Sequence, residues 1–229
     1  MDTEPILVED LALLLLDEAG GYIAGATTLH YTLGGALLAD LALRGRIEVD
    51  DTHAVMGGPR VHAADGDPVT DPLLADTLAR VTKKTQSAQN HLVTLGSGLW
   101  VRVVDRLVER GYVRRETKRL LRVFRWTVTP AADGSREAEV RRRIVAVLED
   151  GADPDPRTGA LIALLSGSQT LPVLRPPLPW NTAAATRAKE LEQGSWGASA
   201  VSTVVARTVS GIATSTAVGA GLVIATAMD

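Results

Sequence analysis

The sequence predicts a mostly α fold: a single compact helical domain with a few short strands and one protruding, basic β-hairpin. Composition is the first reason. Hydrophobic residues make up 45% of the 229 residues but aromatic residues only 3%, so the core must be assembled from Leu, Val, Ile and Ala, which favours helices packed on helices over a β-sandwich. The second reason is that apolar residues recur at helical spacing through most of the chain. The third is the placement of charge. Arg114, Arg115, Lys118, Arg119, Arg122 and Arg125 against Glu116 give one short stretch a net charge of +5 in a chain whose formal charge is −3, leaving the remainder close to −8.

Residues 4–17 read as a first helix with Leu7, Leu11, Leu14 and Leu15 as its apolar stripe, ended by Gly20 and Gly21. A short strand is expected at 22–26, a helix at 32–44 carrying Leu33, Leu37, Leu38 and Leu41, and a strand at 46–49. Residues 56–68, rich in Gly, Pro and Asp, read as an exposed loop or hairpin connection. Asp71 followed by Pro72 is a helix start, with an N-cap and proline at the first helical position. Ser87 or Gln89 opens a helix through Leu95, and residues 96–98 break it. Further helices are expected from Ser135, over 158–165, from Asn181 to about Glu192, and from about Ala198 to the end; residues 172–179 hold too many prolines to be helical. Thr208 to Met228 is uncharged over a bilayer-spanning length but consists mainly of small residues, so a buried helix is expected rather than a membrane anchor.

The stretch from Gly96 to Pro130 organises the functional reading. Trp100, Val101, Val103, Val104, Leu107 and Val108 fall on one side of a helical projection and Arg102, Asp105, Arg106, Glu109 and Arg110 on the other. Gly111 sits where a helix C′ residue belongs, and beyond it the period becomes alternating, with Leu120, Phe124, Trp126 and Val128 on one side. Arg102, Arg106 and Arg110 are spaced as a phosphate-binding stripe, yet Asp105 and Glu109 lie at i+3 from the first two, so a solvated face with local ion pairs is expected.

Nothing in the sequence asks for catalysis. Without cysteine there is no disulfide, zinc–thiolate site or cysteine nucleophile. His30, His53, His62 and His91 lack zinc-helix spacing, and the acidic residues near His53 and His62 read as ordinary turn chemistry rather than a metal site. No phosphate-cradling loop, dinucleotide fingerprint or nucleophile elbow is present, so no cofactor is expected. The N-terminus is acidic where a secretory signal would be basic, which suits a cytoplasmic protein. Arginine outnumbers lysine twenty to four, a composition typical of high-GC bacterial genomes.

Four blocks, LVEDLALLLLDEAGGY at 7–22, LLADLALRGRIEV at 37–49, DRLVERGYV at 105–113 and DPRTGALIALL at 155–165, occur in the order and rough spacing of the Golgi phosphoprotein 3 family, which most of the chain resembles. The resemblance implies a single, mostly helical domain that binds phosphatidylinositol 4-phosphate at membranes. In eukaryotic members it implies an adaptor that holds glycosyltransferases in the Golgi, with a hydrophobic hairpin serving membrane contact and self-association; the matching hairpin here is 113–128. The positions that align with the family's headgroup contacts are Gly25, Gly34, Ser97 and Trp100, and none keeps the tryptophan or arginine found there, so specificity for that headgroup does not carry over.

The expected activity is therefore peripheral binding to an anionic phospholipid surface. Candidate lipid contacts are Trp100, Arg102, Arg106, Arg114, Arg115, Lys118, Arg119, Arg122 and Arg125, and Leu120, Leu121, Val123 and Phe124 are candidates for membrane contact or self-association. A helix followed by a basic two-stranded wing also describes a winged-helix DNA-binding module, although the acidic chain and the neutral helix face make nucleic acid an unfavoured partner. A scaffold whose hairpin serves only oligomerisation is the third reading.

Overall fold

The computed structural model describes residues 4–16, 22–55, 58–120, 124–196 and 203–227. Among them it is mostly helical, as expected, with nine α-helices, one small three-stranded sheet and one two-stranded ribbon.

The centre is α1 (Leu7–Leu15), and all nine of its residues are buried. The stripe read from the sequence was too narrow, because α1 is enclosed on every side by α2 (Leu29–Leu43), α5 (Leu99–Glu109), α6 (Ser135–Leu148) and α7 (Pro156–Gly167). Helix α2 is itself buried from Tyr31 to Ala42 and packs on α4 (Ala88–Gly96), α7 and α9 (Thr203–Ala227). The α2–α4 crossing brings backbone against backbone. A Cβ on Gly34 would lie 2.4 Å from the Leu92 carbonyl oxygen, and one on Gly96 would lie 1.7 Å from that of His30. Only glycine permits this approach. Leu164, Val209, Ile212 and Ala213 continue the same apolar core, so one face of the C-terminal helix is buried between Thr208 and Thr216, while Thr214 and Val218 on it are exposed. No helix among the described residues is long and apolar enough to cross a membrane.

Capping chemistry placed several helix starts correctly. The Asp71 carboxylate accepts from Leu73 N at 2.9 Å and Leu74 N at 3.1 Å to open α3 (Pro72–Lys83). Ser87 Oγ accepts from Asn90 N at the start of α4, and Asn181 Oδ1 accepts from Ala184 N at the start of α8 (Thr182–Glu192). Helix α7 begins two residues earlier than its apolar pattern suggests, because Asp155 caps it with Pro156 at the first helical position.

Three expectations are corrected. The strand at 22–26 is a single bridge between Leu16 and Ile23 followed by a turn, and α2 begins at Leu29 rather than Thr32. The expected loop at 56–68 contains a strand, β2 (Gly58–Ala63), which pairs antiparallel with β1 (Ile47–Val55) and with β3 (Gln86–Ser87). Val49 and Val61 are directly opposed and buried, and that β-branched pair outweighs the turn-forming composition around it. The proline-rich crossing begins with a 3-10 turn, Leu171–Val173, and is held by Arg141, which donates to the carbonyls of Arg175 at 2.7 Å and Pro176 at 2.8 Å.

Candidate functional site

The basic ribbon leaves the body at the end of α5. Gly111 has φ +78°, its N–H donates to Val108 O, and Tyr112 N donates to Leu107 O, a Schellman closure that turns the chain outward. Buried Val113 bridges to Ala131, Arg114 N donates to Pro130 O, and Ala132 N donates to Tyr112 O, so the two legs are tied together at their root. Strands β4 (Glu116–Leu120) and β5 (Phe124–Val128) then pair antiparallel with one another, and neither forms an extensive interface with any other described element. The ribbon projects.

Register fixes which positions share a face. Lys118 pairs with Trp126 and Leu120 with Phe124, so these four positions lie on one face; Arg119 pairs with Arg125 on the other. Leu121, Arg122 and Val123 lie outside the described residues, and for Lys118, Arg119, Leu120, Phe124 and Arg125 the description extends to the backbone alone. At the root, Arg114 pairs with Glu116 at 2.6 Å with 61% of its side chain exposed, and Arg115, 49% exposed, reaches Asp105 on α5. Exposed ion pairs of this kind contribute about 0–1 kcal/mol, so these guanidinium groups remain available to a stronger anion.

Helix α5 supplies the surface beside the root. Leu99, Val103, Val104 and Leu107 are buried as the projection requires, and Trp100 is partly buried against the core. Val101, expected on the core face, is 59% exposed, because α4 and α1 cover only the strip centred on Val103 and Leu107. Val101 and Arg102 stand one turn before Asp105, so the exposed face of α5 continues into the hairpin root. Arg102 is 56% exposed and lies 4.0 Å from Asp76.

The expected local pairs on α5 do not form. Asp105 is taken by Arg115, whereas Arg106 and Arg110 turn towards the body. Arg106 donates through Nε to Glu9 Oε1 at 3.0 Å and through Nη2 to Asp71 Oδ2 at 2.6 Å; Arg110 donates through Nη1 to Glu9 Oε2 at 2.6 Å. Burial lowers the pKa of Arg106, but the hydrogen bonds and charge of Asp71 and Glu9 outweigh it and leave the pKa raised. Arg106 therefore fastens α5 to α1 and α3 and does not face outward.

Behind it lies a set of buried carboxylates that sequence reasoning missed. Asp10 accepts from Arg136 through both oxygens at 2.7 Å and from Arg157 Nε at 2.7 Å, and its bonding to Arg136 raises that arginine's pKa. Asp40 accepts from Leu7 N at 2.6 Å, satisfying an orphan donor at the start of α1, and from Arg44 Nε at 2.6 Å. The available signal was a Glu-Asp pair inside an otherwise leucine-rich helix, where burial demands partners. These ties fix the platform from which the hairpin leaves.

Gly34 is sealed in the α2–α4 contact, and Gly25, at φ +65°, would place a Cβ 2.6 Å from Thr170 Oγ1. No arginine fits at 34.

The family model described as Golgi phosphoprotein 3 (GPP34) matches residues 7–208. Vacuolar protein sorting-associated protein 74 of Eremothecium gossypii is 29% identical over 161 residues, covering 62% of this chain and 48% of the relative. The protein of the same name from Schizosaccharomyces pombe is 25% identical over 161 residues with the same coverage. The chain thus spans about half the length of the curated relatives it matches.

Proposed function

The chain belongs to the Golgi phosphoprotein 3 family, and from that premise we propose that it is a peripheral membrane protein that recognises anionic phospholipid through its projecting hairpin and the adjoining face of α5. The observation that carries the reading is the register pairing of Arg119 with Arg125 on a ribbon whose two strands pair with one another and form no extensive interface with any other described element. Like charges set opposite one another cost the isolated fold stability, and a phosphate layer between them converts that cost into binding.

At about 1 kcal/mol per basic residue near an anionic surface, the hairpin supplies useful, salt-sensitive affinity. Leu120, Leu121, Val123 and Phe124 enter the headgroup boundary beside the cations, while Val101 and Arg102 meet the surface next to the root. Phosphatidylinositol 4-phosphate is the headgroup the family suggests. With Gly34 closed by packing, recognition here rests on charge density more than on a fitted inositol pocket. The proposal includes self-association through the ribbon, which would multiply weak contacts, and an adaptor role towards membrane-protein clients, in keeping with the protein-sorting names of the relatives. It places the protein on the cytoplasmic side of the membrane, in a bacterial host if the arginine-rich composition is a guide. The role is binding and not catalysis. Nucleic acid is not a proposed partner, since the α5 arginines a groove would need are engaged by Glu9 and Asp71.

Replacing Arg114, Arg115, Lys118, Arg119, Arg122 and Arg125 with serine tests the assignment. Co-sedimentation with phosphatidylglycerol-containing vesicles should be lost while the helical circular dichroism is retained. Unchanged vesicle binding would remove the hairpin as the lipid contact.

A further inference from the structure

Beside its buried face, helix α3 carries a second apolar stripe, of which Leu78, with Val69 next to it, packs partly on the core while Ala79 and Thr82 stay exposed. Leu73, Leu74, Thr77 and Val81 are buried against the body. Around the cylinder, Ala75, Leu78, Ala79 and Thr82 repeat at i, i+3, i+4 and i+7 and line a groove of about 520 Å³, with Pro68 and Val69 among its other lining residues. Ala79 and Thr82 are exposed and Ala75 and Leu78 half-buried. The Thr82 hydroxyl donates to Leu78 O at 2.9 Å, so it is already satisfied within the helix and does not oppose an apolar occupant.

The groove's charge has one sign. Its charged lining residues are Arg46 and Lys83, and no carboxylate lines it. Lys83 makes no ion pair among the described residues. Arg46 donates through Nε to Ala64 O at 3.2 Å and through Nη1 to Asp67 O, bonds that hold the guanidinium against the groove and leave Nη2 uncommitted. A shallow, open apolar groove bordered by an arginine and a lysine, with no acid among its described lining residues, suits a ligand with a hydrocarbon chain and a negative head.

We propose that this groove binds an anionic single-chain lipid, of which a fatty acid is the simplest example, with its chain along the Ala75–Leu78–Ala79–Thr82 stripe and its carboxylate between Lys83 and Arg46. The site shares no residue with the hairpin and does not depend on the hairpin's role.

Calorimetric titration of the full chain with laurate below its micellar concentration tests the proposal, with dodecyltrimethylammonium as the equal-chain ligand of opposite charge. Laurate should bind saturably, one per chain, and the cationic surfactant should not. Lys83→Glu should weaken laurate binding roughly tenfold or more, and Ala79→Glu should abolish it. Both positions are exposed, and circular dichroism verifies that both variants fold. The hairpin variant with its six cations replaced should bind laurate as the unmodified chain does. Absence of saturable laurate binding would overturn the site. So would equal binding of the two surfactants, indifference to both α3 variants, or loss of laurate binding in the hairpin variant.

Discussion

Glu9 and Arg106 stand 97 positions apart in the chain, yet the buried carboxylate accepts from the guanidinium Nε at 3.0 Å. The contact joins the most enclosed helix to the helix that launches the hairpin. Removing one member of a buried ion pair costs about 3–5 kcal/mol when its partner is left uncompensated, and because Arg106 keeps Asp71 the loss of Glu9 should cost no more than the lower end of that range. Glu9→Gln should therefore shift the urea midpoint strongly downward. It should weaken vesicle binding only to the extent that the protein unfolds.

Asp10 receives two arginines, Arg136 and Arg157, from two different helices. Asp10→Asn should destabilise by a similar amount, and combining it with Glu9→Gln should prevent folding. Urea titrations of the single variants check the first statement and soluble expression of the double variant the second.

Much of this framework was legible in the sequence, and the part that was not has a definite physical character. Asp71, Ser87 and Asn181 act within three residues of themselves, so their caps were readable from spacing. Gly111 was readable for the same reason. Glu9, Asp10 and Asp40 find partners across the fold, and no local pattern names Arg157 as the donor to Asp10. For Arg106 the nearby Glu109 was a plausible partner by spacing, and tertiary packing chose Glu9 and Asp71 instead. The hairpin was visible because alternation and a glycine stop are local signals, and its expected protrusion followed from the concentration of unbalanced positive charge on it.

Arg119 and Arg125 occupy directly opposed register positions on the hairpin. Arg119→Thr should stabilise the lipid-free protein by about 0.2–1 kcal/mol at low ionic strength. The same change should weaken binding to acidic vesicles. Thermal denaturation at low and high salt should show the gain shrinking as salt screens the pair.

Gly34 and Gly96 close the α2–α4 crossing, where a methyl group has no room. Gly96→Ala should cost about 1–3 kcal/mol through overpacking. Gly34→Arg, which would drive a long side chain into the same crossing, should fail to fold. Circular dichroism and a denaturant titration distinguish these outcomes.

His91 is buried, its Nε2 has no hydrogen-bond partner, and burial together with Lys84 lowers its pKa from 6.5. The folded state holds the neutral form, so on acidification the unfolded chain takes up the proton first. Stability should be complete above about pH 6.5 and fall as the pH drops towards the depressed folded value. His30, also lowered by burial, acts with the same sign. His91→Leu should flatten the difference between urea midpoints taken at about pH 7.5 and about pH 5.5.

The most direct test of the membrane assignment is co-sedimentation of the full chain with neutral phosphatidylcholine vesicles and with vesicles containing phosphatidylglycerol or phosphatidylinositol 4-phosphate, across a salt series. Binding should be confined to the acidic vesicles, similar for the two acidic lipids at matched charge, and progressively lost as salt rises. Equal binding to neutral and acidic vesicles, or binding to neither, would contradict the assignment.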